Sequence, residues 1–207
     1  MQNIFVPSLN FGNTNSVIRM IEKVSNNVNI LQDWSYFDKA DKIFIVGVGS
    51  YDFAVKEYLP YYERIREAIL VKKKPILGIC LGMQLLFDKS EEGIEKGMSV
   101  ISGNVVKFKS EKFGANSESI KIPHIGWNVV EPVKNSQLFN NDEYYRFYFA
   151  HSYHVVCNHY YNVLAEVDYG YRFSVAVQHE NIFGVQFHPE KSHKFGMDLV
   201  CNFIHKI

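Results

Sequence analysis

The residues most able to do chemistry sit in one pentapeptide, Gly78-Ile79-Cys80-Leu81-Gly82. It follows an apolar strand pattern, Pro75-Ile76-Leu77, and opens a helical pattern, Met83-Gln84-Leu85-Leu86. A sharp strand-to-helix turn strains its central residue and pushes that side chain out of the sheet. The flanking glycines leave room for one chain to approach another. The start of the following helix favours a thiolate over a thiol. The backbone N–H of Leu81 is placed to meet an oxyanion forming on a substrate attacked by Cys80. Cys157 and Cys201 have no such setting and read as packing residues.

A cysteine nucleophile needs a base, and the base needs an acid that fixes its tautomer. Among eight histidines, His188 in Phe187-His188-Pro189-Glu190 fits best. It ends the apolar run Ile182-Phe183-Gly184-Val185-Gln186-Phe187. In an extended segment residues i and i+2 share a face. His188 and Glu190 then point the same way, and Pro189 stops the strand. A second group, His151, His154, Cys157 and His159, lacks zinc-knuckle spacing, and on one strand His151 and His154 would face opposite sides. No metal is expected.

The elements around these motifs define the frame. In the first half, strands at 3–6, 42–46 and 75–79 alternate with helices. One helix runs from about Ser16, with Val17, Ile21 and Val24 on one face. A second starts near Pro60, with Tyr62, Ile65 and Ile69 at helical spacing, and a third covers 82–87. Alternation of this kind implies a parallel sheet flanked by helices. In the second half, strands are expected at 105–108, 127–130, 145–149, 163–167, 175–178 and 183–187. Turn residues separate them, which implies appended antiparallel strands. A last helix over 193–204 presents Phe195, Leu199, Val200 and Phe203 to the sheet. The expectation is one α/β domain spanning 1–207, with a mixed, mostly parallel sheet flanked by helices.

Bulk properties narrow the function. The chain has 207 residues, enough for a substantial core, with 22 basic and 22 acidic side chains. That balance argues against nucleic-acid binding, which needs clustered Lys and Arg. Lys72-Lys73-Lys74 reads as a solvated helix end. No apolar stretch reaches bilayer-spanning length, and no secretory leader is evident, so neither a membrane nor export is expected. Three scattered cysteines suit a reducing cytoplasm.

The segment Lys74-Pro75-Ile76-Leu77-Gly78-Ile79-Cys80-Leu81-Gly82-Met83-Gln84 resembles the cysteine elbow of the class I (triad) glutamine amidotransferases. Gly184-Val185-Gln186-Phe187-His188-Pro189-Glu190 resembles their histidine–glutamate segment. The likeness is ordered and runs almost the whole chain; its fold is flavodoxin-like. Within the class, Pro123-His124-Ile125-Gly126-Trp127-Asn128 and Phe149-Ala150-His151-Ser152-Tyr153 are similar to segments of the glutaminase subunit of imidazole glycerol phosphate synthase. Met83 and the first loop, Gly12-Asn13 before Ser16-Val17, point the same way. Two departures stand out. Val46-Gly47-Val48-Gly49 replaces a usual Pro-Gly-Val-Gly, and Asn10-Phe11-Gly12 replaces Asp-Tyr-Gly.

The resemblance implies a glutaminase in histidine biosynthesis that hydrolyses L-glutamine through Cys80, His188 and Glu190. Val48 or Gly49 would join Leu81 in the oxyanion hole, and Gln84, Gly47, Ser152 and Tyr153 would hold glutamine. No cofactor is implied. Ammonia would pass through a tunnel to a (β/α)₈-barrel cyclase, with Asn13, Trp127, Tyr148 and Lys191 at or near the interface. The alternatives are a paralogous subunit feeding a sugar-modifying enzyme, a free-standing cysteine hydrolase, or a binding subunit without activity. An α/β-hydrolase places its acid before its histidine; here Glu190 follows His188.

Overall fold

The computed structural model describes residues 1–8, 13–47, 49–112, 120–140 and 144–207. In chain order the elements begin with β1 (Gln2–Phe5), α1 (Thr14–Val24), β2 (Val28–Leu31), β3 (Lys42–Gly47), α2 (Tyr51–Tyr58) and α3 (Tyr62–Arg66). Then come β4 (Ile76–Cys80), α4 (Leu81–Gln84), β5 (Lys89–Ser90), β6 (Gly103–Lys107), β7 (His124–Pro132) and β8 (Tyr145–His151). The chain closes with β9 (Tyr153–Cys157), β10 (Val163–Asp168), β11 (Arg172–His179), β12 (Ile182–Val185) and α5 (His193–Lys206).

The strands join one sheet whose main path runs β2-β1-β3-β4-β12-β11-β10-β7-β8. From β2 through β12 the pairings are parallel. Beyond β12 they turn antiparallel. The mixed α/β architecture expected from the sequence is therefore present.

The central strands are buried on both faces, and their alternation sorts side chains into two cores. Phe44, Val46, Leu77 and Ile79 face α1 and α5. Ile43, Ile45 and Ile76 face α2 and α3. α5 seals its side through Phe203, whose ring meets Phe44 edge-on at 5.0 Å. Lys42, at the buried start of β3, donates to the Phe203 carbonyl at 2.8 Å, so its charge ends on a backbone oxygen.

Several elements differ from expectation. β2 is an edge strand of mixed burial whose sequence, Val28-Asn29-Ile30-Leu31, carries only a weak apolar signal. The helical stretch expected from Pro60 begins at Tyr51; Tyr51, Ala54, Val55 and Tyr58 are its buried stripe. Pro60 lies in a 3₁₀ turn between α2 and α3, where its missing N–H interrupts the ladder. The helix expected over 82–87 lasts four residues before the chain turns. β12 stops at Val185, two residues short. His151 and His154 fall on two strands separated by Ser152, not on one.

Phe203 is fully buried. Phe203→Ala is expected to destabilise the protein by about 3–5 kcal/mol. Urea unfolding monitored by circular dichroism measures it, and a loss under about 1 kcal/mol would show that α5 does not seal this core.

Candidate active site

Cys80 ends β4 and caps α4 with φ 54° and ψ −113°, in the left-handed half of backbone space that an L-residue rarely adopts. The surroundings enforce the turn. A Cβ on Gly82 would lie 1.9 Å from the Ile45 carbonyl oxygen, and one on Gly78 would lie 2.7 Å from the Gly82 carbonyl oxygen. Only bare backbone lets α4 fold back onto β3 and β4. Gly47 sits opposite Cys80 in the β3–β4 ladder. A Cβ there would come 3.2 Å from Leu81 Cβ, so Gly47 backs the elbow.

β12 runs parallel to β4 with Val185 opposite Ile79. The next residues, Gln186 to His188, therefore pass beside Cys80. His188 Nδ1 donates to Glu190 Oε1 at 2.8 Å. The pair is made by a 3₁₀ turn at Pro189–Lys191, not by strand alternation as the sequence implied. Proline at the first position of the turn fixes φ and folds Glu190 back under the ring. The backbone braces the histidine. Its N–H donates to the Tyr148 carbonyl at 2.9 Å, and the Ser192 hydroxyl donates to its carbonyl at 2.6 Å. Asn13 Nδ2 donates to the same Glu190 oxygen at 2.9 Å.

The electrostatics follow from burial and pairing. Burial pushes the His188 ring toward its neutral form. The Cys80 sulfur, within hydrogen-bond reach, and the Glu190 carboxylate pull the other way and win, holding His188 at about 10. Burial raises the Glu190 carboxyl, but donation from His188 and Asn13 outweighs it and keeps the group below the usual carboxylate range. Cys157 behaves differently: burial pushes its thiol up to about 12, so it is inert beside Cys80.

A cavity of about 540 Å³ opens over Cys80. Its wall includes Leu81, Gly49, Gln84, Ser152, Tyr153 and His188. Among the expected glutamine contacts, Gln84, Ser152 and Tyr153 line it, whereas Gly47 lies behind it. Gly49 has φ +101° and open space where a side chain would be. Val48 and Gly12 lie outside the described residues.

Sequence reasoning missed three contributors. Gln186, fully buried, donates through Nε2 to Cys80 Sγ at 3.7 Å; its signal was a lone amide in an apolar run. Glu92 lines the cavity, and burial pushes its carboxyl up, a shift its Asp52 neighbour adds to and a backbone hydrogen bond opposes. Nothing in the sequence marks it, because Asp52 accepting from the Ile94 and Glu95 N–H groups holds that loop in place. The third is a buried histidine pair. His151 Nδ1 donates to the Tyr153 carbonyl at 2.7 Å, which leaves its Nε2 as the acceptor for His124 Nδ1 at 3.0 Å. Burial drives His124 down to about 4, and burial with His124 repulsion drives His151 well below its ordinary value. Both rings are neutral. The described residues contain no group of three or more His, Cys, Asp or Glu side chains arranged to hold a metal.

The expected interface residues form a patch at the cavity rim. Trp127 and Tyr148 are cross-strand partners in β7 and β8, with rings edge-on at 6.1 Å. Lys191 Nζ lies 5.5 Å over Tyr148. His193 stacks on Trp127 at 5.3 Å, and Trp127 is 37% exposed. Asn13 also borders the cavity but spends its amide on Glu190.

A strained cysteine beside a buried histidine–carboxylate pair, with the cysteine and histidine on one cavity, is a set able to attack an amide or ester carbonyl. The chain belongs to the class-I glutamine amidotransferases: residues 8–207 match the family "Glutamine amidotransferase class-I". It is 45% identical over 197 residues to imidazole glycerol phosphate synthase subunit HisH 2 of Methanococcus maripaludis, covering 93% of this chain and 94% of that one. It is 37% identical over 204 residues to subunit HisH 2 of Pseudomonas aeruginosa, covering 97% and 98%. The fold matches the structure titled PurLQS from Thermotoga maritima with TM-score 0.70 and 20% identity, over 99% of this chain and 98% of that one. No helix among the described residues is long and apolar enough to cross a membrane.

His188 is held above its unfolded value, so its protonation contributes stability that is complete below about pH 6.5 and lost as pH rises toward 10. Glu190→Gln is expected to flatten that dependence. Urea unfolding of both proteins at pH 6 and pH 9.5 checks it, and parallel losses in the two proteins would refute it.

Proposed function

We propose that this chain is the glutaminase subunit of an imidazole glycerol phosphate synthase, hydrolysing L-glutamine and passing ammonia to a (β/α)₈-barrel cyclase in the cytoplasm. The observation that carries the reading is Cys80 and His188 on one cavity, with Glu190 hydrogen-bonded to His188, in a chain 45% identical to a HisH subunit.

In this reading the Cys80 sulfur attacks the side-chain carbonyl carbon of glutamine. The negative oxygen that forms is met by the N–H of Leu81 and by a second donor from the Gly47–Gly49 loop, Val48 or Gly49. His188, protonated and oriented by Glu190, gives its proton to the departing nitrogen, and ammonia leaves. The thioester that remains on Cys80 is attacked by water, which His188 deprotonates. The C–S bond breaks, glutamate leaves, and the thiolate returns with the imidazolium. Gln84, Ser152 and Tyr153 grip the substrate, and Glu92 pairs with its α-ammonium group. Trp127, Tyr148 and Lys191 meet the cyclase, with Asn13 tying that rim to Glu190. Ammonia near neutral pH is mostly protonated and not nucleophilic, so a sealed route into the partner conserves its reactivity.

One observation favours a second reading. Methanococcus maripaludis has a HisH 1 and a HisH 2, and this chain is 39% identical to the first and 45% to the second. A duplicated subunit is free to serve another synthase, such as a sugar-modifying amidotransferase, and Val46 in the oxyanion loop is where the chain departs from the usual proline.

The test is glutamine hydrolysis by the chain alone, then with a barrel cyclase and its ribonucleotide ligand. Strong stimulation is expected, and Cys80→Ala is expected to lower the rate at least about a thousandfold. Cys80-dependent hydrolysis that the cyclase leaves unchanged would favour the second reading. Glu92→Gln is expected to raise KM about tenfold or more with kcat little changed, the pattern for lost ground-state binding. A fall in kcat at constant KM would remove Glu92 from the substrate clamp.

A further inference from the structure

Gln186 is wholly buried, yet it carries a primary amide directly after a strand made of Ile, Phe, Gly and Val. An apolar side chain would fill that space without the cost of desolvating an amide. The amide makes two side-chain hydrogen bonds among the described residues: Oε1 accepts from Gln84 Nε2 at 3.0 Å, and Nε2 donates to Cys80 Sγ at 3.7 Å.

The direction of this chain is fixed from its far end. The Tyr153 carbonyl can only accept. It takes a hydrogen from His151 Nδ1 at 2.7 Å and one from Gln84 Nε2 at 3.3 Å. The Gln84 nitrogen is therefore the end that points inward, and its second hydrogen meets Gln186, whose facing atom must be the oxygen. That leaves the Gln186 nitrogen, with its hydrogens, against the sulfur. Reversed, the amide would present an oxygen lone pair to Cys80 and oppose a negative charge there.

We propose that Gln186 stabilises Cys80 as the thiolate by donating an N–H to its sulfur, and that the Tyr153 carbonyl, acting through Gln84, imposes the orientation that makes this possible. The proposal rests on Cys80 being the nucleophile. An N–H bond to sulfur is weak when the sulfur is a neutral thiol and charge-assisted when it is an anion, so the contact favours the reactive form selectively. An amide does not titrate in the working range, so this support is independent of the protonation of His188. It also joins the glutamine clamp to the nucleophile: Gln84 touches the cavity with one face and aims Gln186 with its amide.

The experiment reads the sulfur directly, without glutamine or partner. Cys80 is alkylated with iodoacetamide from pH 5 to 10 and quantified by peptide mass spectrometry, with Cys157 and Cys201 in the same digest as controls. Wild type, Gln186→Met and Gln84→Met are compared, after circular dichroism confirms folding. Gln186→Met is expected to slow alkylation of Cys80 about tenfold at pH 7 and to move the half-maximal pH up by about one unit, with the control cysteines unchanged. Gln84→Met, which frees the Gln186 amide to turn, is expected to slow it about threefold in the same direction. If Gln186→Met does not fold, the Gln84→Met profile decides. Profiles that overlay wild type in the folded variants overturn the proposal and leave the proposed function standing. Glutamine hydrolysis that survives Cys80→Ala would instead overturn the proposed function itself.

Discussion

The parallel ladder through β3, β4 and β12 is the constraint on which the rest of the molecule depends. β4 is the middle strand, and its last residue is Cys80. Gly47 of β3 is in register with Cys80, and Val185 of β12 is in register with Ile79. One register therefore places Gly47 on one side of Cys80 and the histidine segment on the other. A slip of one residue would swap the faces of Ile79 and Cys80 and carry the sulfur away from Gly47 and the histidine segment. The two buried cores above and below the ladder prevent that slip, because Ile43 and Ile45 cannot exchange faces with Phe44 and Val46 without undoing both. Packing far from the chemistry is what fixes the geometry of the chemistry.

Within that frame, the electrostatic balance at His188 is a contest between desolvation and pairing. Burial alone would leave the ring neutral, as it does for His124 and His151, where each ring meets another neutral ring or a carbonyl. His188 differs in facing a carboxylate on one side and the sulfur on the other. Histidines in similarly buried surroundings thus end in opposite charge states, and the partner decides which. Glu190 in turn keeps its charge because one of its oxygens accepts two hydrogen bonds, from His188 and Asn13.

How much of this was legible in the sequence follows from how local each signal is. The elbow could be read because glycine, cysteine and glycine sit side by side between a strand pattern and a helix pattern, and the structure shows both glycines sterically required. His188 and Glu190 could be paired by spacing alone, although the turn that pairs them was mistaken for a strand. β3, β4 and most of the later strands were visible as β-branched and aromatic runs. β2 and β9 were not, since the first is a half-buried edge and the second begins only one residue after β8 ends. The start of the α2 stripe was overlooked because Pro60 is a stronger local signal than the tyrosines before it. Glu92 and the His124–His151 pair were beyond reach, because their partners are brought together by loops and cross-strand register.

Tyr148 occupies the site in two separate ways. Its ring faces outward beside Trp127 and Lys191, while its carbonyl holds the backbone of His188. Replacing the ring changes the side-chain surface beside Trp127 and Lys191 but keeps the backbone carbonyl that accepts from His188. One residue thus shapes the surface with its side chain and braces the buried histidine with its main chain. Outward side chains on this hairpin can therefore change residue by residue while the main-chain brace on His188 is inherited intact. The surface of the hairpin is therefore the part of this architecture free to diverge, and its backbone the part that is held.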